Sequence, residues 1–411
     1  MNGTPPAREK SIGVLEQAAI AAGFVLAVCM VILLAGQEFP GTNNFYNSYS
    51  VQAQAWLEGR LDIPLGEERT WLELAIRDGR YYVSFPPFPS VVMLPLVLVF
   101  GEHTPDTMVA LFAAALACWH AIRLCVILLP DRRRTAYWVT FLLLCNGYLF
   151  LCVNGWVWYL AQNLCFLFSL AALHHAVRGR GFASLACWAM AVGCRPMAGF
   201  CLPFLLVVLL KAVRGEHPEE KPLRLIAKRL WWAAVPLLLG AFYMALNQAR
   251  FGNPFEFGHN YLPEFNREGP QFALAHIVPN LRQLLSLPFM RDGRLTFSTS
   301  NGGTAWLLNP ILWVGIAAWA SALRTRRGGV TCLWLLPLTL AVYLLVILAH
   351  RTLGGWQFGN RYLVDLMPWI FFGILIHQPD DDSLVRVSFP FALLAGVCQI
   401  AGTVATYNYW I

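Results

Sequence analysis

The sequence predicts an all-α protein that crosses a membrane many times, and three observations carry that prediction. The 411 residues are 57% hydrophobic and only 13% charged, where soluble domains carry roughly 25% charged residues. The mean hydropathy is +0.53. Apolar windows of the roughly 20 residues needed to span a bilayer core recur from Val14 to Tyr409, with no interval long enough for a soluble domain. Backbone polar groups in lipid must be satisfied within the segment, so these windows are helices, about 10 to 13 of them, in one polytopic domain covering residues 1–411.

Composition also excludes several functions. The 11 cysteines (Cys29, Cys118, Cys125, Cys145, Cys152, Cys165, Cys187, Cys194, Cys201, Cys332 and Cys398) all lie in apolar segments without a C-x-x-C pair. They read as small buried hydrophobes. The net charge of +7 is spread over several short loops, the pattern of Lys and Arg on the cytoplasmic side of a membrane protein and no sign of a nucleic-acid partner.

The first apolar segment, Ile12 to Leu34, follows Arg8 and Lys10 and has no small-residue cleavage site at its end. It is expected to be retained, with its N-terminus inside. Residues 37–85 then form a large outer loop that carries short interfacial helices and ends in DGRYYVSFPPFP (Asp78 to Pro89). Apolar segments follow at Pro86–Gly101, Thr107–Leu129, Ala136–Cys152 and Trp156–Val177. The sequence leaves open whether Pro86–Gly101 spans, which would put Arg132, Arg133 and Arg134 outside, or only dips in, which would put them inside. Phe182–Leu210 reads as one kinked helix or two short ones, interrupted by GCRP (Gly193 to Pro196). The loop 211–229, rich in Lys and Arg, is expected to be cytoplasmic. The passages 250–303 and 350–361 are expected outside, the former with an amphipathic stretch at Asn280–Phe289. No internal repeat is evident, which weighs against an inverted-repeat transporter.

Three elaborate loops on one side point to a site at that interface. The first offers Glu38, Glu73 and Asp78 as carboxylates able to act as a base. Cations at the same depth are Arg60, Arg80, Arg250, Arg351 and Arg361, and guanidinium is the side chain suited to gripping a lipid-linked phosphate. Arg195 and Asp365 stand inside apolar sequence, where a charge costs about 2.5–3.5 kcal/mol on insertion scales and calls for a partner or a watery cavity. His174 and His175, near Arg178 at a helix end, are explained by interfacial placement. Asp380, Asp381 and Asp382 read as a solvated loop, and the sequon Asn2-Gly3-Thr4 sits at the inner terminus.

Four stretches taken in order resemble a known family: NNFYNSYSVQAQAWLEGRLDIP (Asn43 to Pro64) with DGRYYVSFPPFP, GCRPMAG (Gly193 to Gly199), NQARFGNPFEFGHNY (Asn247 to Tyr261) and GGWQFGNRYLVDLMP (Gly354 to Pro368). The set is similar to the GT-C superfamily of membrane glycosyltransferases, in the branch of the protein mannosyltransferases and the bacterial aminoarabinose transferase. The resemblance implies a sugar donor carried on a polyprenyl phosphate, a glycan, lipid or protein acceptor, and a site on the outer face of a bacterial inner membrane. Asn44, Arg80, Tyr81, Tyr82, Arg250, His259, Arg361, Tyr362 and Asp365 would then bind substrate. Arginines or a divalent metal ion would stabilise the leaving phosphate. One position departs: counted back from Gly59, the place where the family carries an acidic residue holds Asn44, which cannot be a base. Three readings of this departure stand, in order: the role of base has moved to Glu73, Asp78 or Glu38, this branch works differently, or transferase activity has been lost. A flippase of lipid-linked saccharide, with similar arginines and no base, and a structural subunit are the rival readings.

Overall fold

The computed structural model describes residues 12–37, 45–129, 131–263, 269–291, 293–296, 302, 304–325, 330–377 and 382–410. Glu38, Asn44, Asp380 and Asp381 lie outside these residues. The chain begins with helix α1 (Val14–Leu34) and then folds at one end of the bundle as α2 (Ser48–Leu57), the antiparallel strands β1 (Leu74–Arg77) and β2 (Arg80–Val83), and α3 (Phe88–Phe100). Helix α4 (Asp106–Leu128), the broken pair α5 (Thr135–Leu144) and α6 (Tyr148–Leu151), then α7 (Val157–Val177), α8 (Gly181–Cys194) and α9 (Leu202–Glu216) run back and forth. After the short α10 (Pro222–Ala227), α11 (Ala234–Phe251) returns to the end holding α2. There the chain builds α12 (Ile277–Leu284), a second hairpin of β3 (Phe289–Arg291) and β4 (Arg294–Thr296), and α13 (Ala305–Leu308). The bundle closes with α14 (Ile311–Thr325), α15 (Val330–Ala349), α16 (Arg361–Val364), α17 (Met367–His377) and α18 (Ser383–Tyr407).

Seven of the described helices are long and apolar enough to cross a membrane. The two hairpins are a small addition to the expected all-α architecture, and the first is made by Asp78-Gly79, whose φ angles of 51° and 71° are those of a tight two-residue turn.

Helix α7 is the centre of the bundle. Its apolar window is 83% buried within the protein, against 17% for the span that contains α11 and 22% for α18, which leave most of their surface for lipid. Polar side chains on α7 point inward and find protein partners: Asn163 Nδ2 donates to the Ala110 carbonyl at 2.9 Å, and Tyr148 Oη donates to Asn163 Oδ1 at 2.8 Å. An amide buried in an apolar bundle without such bonds would cost about 1–3 kcal/mol, so these contacts pin α7 to α4 and α6.

The course of α3 settles where the basic loops lie. It starts beside the outer loop, where Ser90 Oγ donates to Gln52 Oε1 at 2.8 Å. It ends beside the same loop, because Asn47 donates to the Glu102 carbonyl at 3.0 Å and Arg69 makes two hydrogen bonds to the Glu102 carboxylate. This 13-residue helix therefore dips and returns. Helix α4 then carries the chain to the far end, where Arg123 donates to Gln17 near the start of α1. Arg134 pairs with Asp382 at 2.7 Å, and Lys211 Nζ lies 3.1 Å from Cys332 Sγ. The clusters at Arg132–Arg134 and 211–229 thus share one end, as the charge rule asks.

Phe182–Leu210 is two helices. The residue before a proline is pushed out of the helical region, and Arg195, preceding Pro196, is extended with φ −144° and ψ 102°. The chain turns back there, at the end of the bundle that holds α2.

This placement predicts a labelling pattern. Cysteines introduced at Arg133 and at Glu219 react with an impermeant maleimide from one side of the membrane, and one introduced at Gly59 reacts from the other; labelling of Arg133→Cys alongside Gly59→Cys would contradict the dip of α3.

Candidate functional site

A cavity of about 330 Å³ opens between the first loop, the α8–α9 break, the passage after α11 and the segment that leads into α16. Its floor is basic. Arg195, freed from helix geometry by Pro196, donates from Nε to Asp365 Oδ2 at 3.0 Å, so the two charges read from the apolar sequence meet each other. The second oxygen of Asp365 accepts from Gln162 Nε2 at 3.1 Å.

Gln162 is wholly buried and ties three groups together. Its Nε2 also donates to the Arg361 carbonyl at 3.0 Å, and its Oε1 accepts from Arg361 Nη1 at 3.2 Å. The guanidinium of Arg361 is 5.7 Å from the Tyr159 ring centre and 5.1 Å from that of Tyr362, while the guanidinium of Arg195 is 4.8 Å from the same Tyr362 ring centre. Tyr362 thus carries two guanidinium groups against its ring, an arrangement favourable by about 0.5–2 kcal/mol per contact. Arg361 is only 5% exposed, its Nε has no hydrogen-bond partner among the described residues, and no carboxylate there pairs with it.

The backbone that delivers Arg361 enters the bundle instead of lying over it. Gln357, Phe358, Gly359 and Asn360 are buried, and Asn309 Nδ2 donates to the Gly359 carbonyl at 3.0 Å. Gly359 has φ 87°, and a Cβ there would lie 3.0 Å from the Gly147 Cα and 2.7 Å from Gln399 Nε2, so only glycine fits the close approach. Asn360 follows with φ 60°, a left-handed conformation that asparagine tolerates.

The first loop reaches the cavity through Trp158, a lining residue whose Nε1 donates to Glu73 Oε2 at 2.9 Å. Glu73 is half-buried with φ 53°, a left-handed backbone uncommon outside glycine and often found at functional sites. Asp78 is placed differently: its side chain is 85% exposed at the hairpin tip and pairs with the adjacent Arg77 at 3.3 Å.

The other sequence-derived residues divide between site and scaffold. His259, Arg361 and Tyr362 line the cavity, and Asp365 stands directly behind it. Tyr82 is buried against Phe251, with ring centres 5.5 Å apart; Tyr81 packs its ring over Gly66; Arg80 is exposed on β2. None of these three lines the cavity. Arg250 is a structural pin: buried to 2%, it donates to the Val83 carbonyl at 2.8 Å and to Asn247 Oδ1 at 2.9 Å, joining the hairpin to α11. Residues that the sequence reading passed over are Gln162, Trp158, Tyr159 and Glu256. For Gln162 the signal was available, since an adjacent Gln-Asn pair in the middle of a spanning helix demands partners.

Two histidines face the cavity from outside the spans. Burial, then the neighbouring His350, holds His259 down to about 4, and burial likewise lowers His350. His350 Nδ1 lies 2.7 Å from the Thr352 carbonyl and Nε2 lies 3.2 Å from Gln271 Nε2, which assigns the proton to Nδ1. Both imidazoles are neutral at neutral pH. Among the described residues no group of three or more His, Cys, Asp or Glu is gathered as a metal site.

Comparison with known proteins bears on this geometry. No family model and no curated protein matches the chain. A crystal structure of ArnT from Cupriavidus metallidurans, bound to undecaprenyl phosphate, aligns with 97% of this chain and 78% of its own, at a TM-score of 0.51 and 13% identity. The chain has the ArnT fold. It is a multi-pass membrane protein, with seven described helices long and apolar enough to span.

Two outcomes follow for stability. Asp365→Leu leaves the partly buried Arg195 without its carboxylate and lowers unfolding stability in detergent by about 1–3 kcal/mol, whereas the double variant Asp365→Leu/Arg195→Met recovers most of that loss. For His259 the unfolded chain takes up a proton near 6.5 and the folded one only near 4, so this contribution is intact above 6.5 and is lost as pH falls toward 4. His259→Gln flattens that acid limb in a pH series of melting curves.

Proposed function

We propose that the protein is a glycosyltransferase that moves a sugar from a polyprenyl-phosphate donor to an acceptor at the extracytoplasmic face of a bacterial inner membrane. The observation that carries this reading is Arg361: a cation 5% exposed on the floor of a cavity, with its Nε unbonded and no carboxylate against it among the described residues. A buried charge needs a counter-charge, and Asp365 is already engaged by Arg195 and Gln162. A phosphate entering the cavity supplies it, through the fork of N–H donors that suits phosphate oxygens. The fold it shares with a protein crystallised with undecaprenyl phosphate supports the same class of ligand. The basic end at 211–229 faces the cytoplasm by the charge rule, so the cavity opens to the opposite side.

Glu73 is the carboxylate best placed to serve as base among the three the sequence offered. Its carboxylate accepts from Trp158, which lines the cavity, whereas Asp78 is at an exposed tip and Glu38 lies outside the described residues. In the reaction the acceptor hydroxyl gives its proton to Glu73 and its oxygen bonds to the anomeric carbon. The bond from that carbon to the phosphate oxygen breaks, and the phosphate keeps the electron pair beside Arg361. The positive guanidinium is worth most at this point, because charge builds on the leaving oxygen. A divalent ion coordinated by the phosphate would add to the same effect.

The test is turnover in proteoliposomes, read as acceptor-dependent conversion of polyprenyl-phosphate sugar to polyprenyl phosphate. Arg361→Ala weakens donor binding by about 10- to 100-fold, the worth of hydrogen bonds to a charged group. Glu73→Gln lowers kcat by about 10²- to 10⁴-fold with donor binding intact. Lipid that crosses the bilayer unconverted would favour a flippase. Full transfer by Glu73→Gln would remove Glu73 as base and return the role to Glu38 or Asp78.

A further inference from the structure

The cavity is graded in exposure and in charge. Its floor holds Arg361 and Tyr49, 5% and 2% exposed, while its rim holds Phe255 and Phe272, 76% and 45% exposed. On the rim stands Glu256, the one carboxylate among the described residues that line it. The sequence reading did not single it out.

Glu256 is oriented by its own loop. Its Oε1 accepts from the Gly258 N–H at 2.7 Å, and its Oε2 accepts from Asn260 Nδ2 at 2.6 Å. A carboxylate offers about four lone-pair positions, and the described residues fill two of them on a group whose direction is already set. Asn260, also on the cavity wall, keeps a second N–H and its carbonyl oxygen. Fixed acceptors beside exposed aromatic faces suit a ligand with hydroxyl donors around an apolar ring face. A negative rim repels an anion, and a cationic floor attracts one, so the two ends of the cavity select different parts of one molecule.

We propose that Glu256 and Asn260 form the subsite for the sugar ring of the donor, with Glu256 accepting hydrogen bonds from ring hydroxyls while the phosphate sits on Arg361. This rests on the glycosyltransferase reading, and no bond is made or broken at Glu256. It is a specificity-determining residue: the lipid phosphate alone does not touch it.

The test is the lipid that stays with the purified protein. Wild type, Glu256→Ala and Asn260→Ala are expressed in bacterial cells and extracted into nanodiscs, and bound polyprenyl phosphate with and without sugar is quantified by mass spectrometry. The expected result is a fall of about fivefold or more in the ratio of glycosylated to bare lipid in both variants, as loss of hydrogen bonds implies, with total polyprenyl phosphate unchanged. An unchanged ratio overturns the subsite while the phosphate reading stands. A raised ratio also overturns it, since donor would then accumulate for want of turnover and Glu256 would belong to the chemistry. Loss of both lipids in the variants shows a structural role and overturns it too. Absence of any polyprenyl phosphate from wild type overturns the glycosyltransferase reading itself.

Discussion

The structure depends on one constraint: ionised groups within an apolar bundle must be neutralised and hydrogen-bonded. Asp365 sits at the centre of the solution. It spends one oxygen on Arg195 and the other on Gln162, and Gln162 spends its remaining capacity on Arg361. Two guanidinium groups therefore share a neighbourhood with one carboxylate behind them, and the ring of Tyr362 lies against both. Desolvating such charges is costly, so this network imposes the relative positions of α7, the α8–α9 break and α16. What is left over is Arg361, which lines the cavity with no carboxylate against it among the described residues.

Backbone chemistry sets the stage for that network. Pro196 ends α8 and turns Arg195 into the cavity; Gly359 and Asn360 let the chain descend into the bundle so that Arg361 starts α16 from below the surface. On the opposite wall the Asp78-Gly79 turn closes a hairpin, which Arg250 clamps to α11 through the Val83 carbonyl. Glu73, at the hairpin's foot, is brought to Trp158 by that clamp and by its own left-handed backbone. The first loop thus behaves as a folded part of the wall, with Arg69 and Glu102 fastening it to the returning end of α3.

Much of the architecture was legible from residues alone. Spanning helices follow from apolar runs, and the break at GCRP follows from proline. That Arg195 and Asp365 required partners follows from the cost of a charge in lipid; that they are each other's partner, 170 positions apart, does not. Arg250, Tyr81 and Tyr82 resemble ligands of a phosphate in sequence because cation and aromatic side chains near a membrane surface look alike whether they bind lipid or pack a hairpin. Burial separates the two, and burial is a property of the assembled fold.

The sequence by itself determined the solvent of this protein, its helical class, the basic end of its bundle and the residue types of a cationic cavity floor, because hydropathy, proline and charge act locally or through the membrane, which every segment meets directly. Only the tertiary structure decided that α3 dips without crossing, that Arg361 is left without a carboxylate among the described residues, and that Glu256 lines the cavity and Glu73 bonds to its wall residue Trp158 while Asp78 does neither. These outcomes depend on which helices pack against which, and so on contacts between segments far apart in the chain that no local pattern encodes.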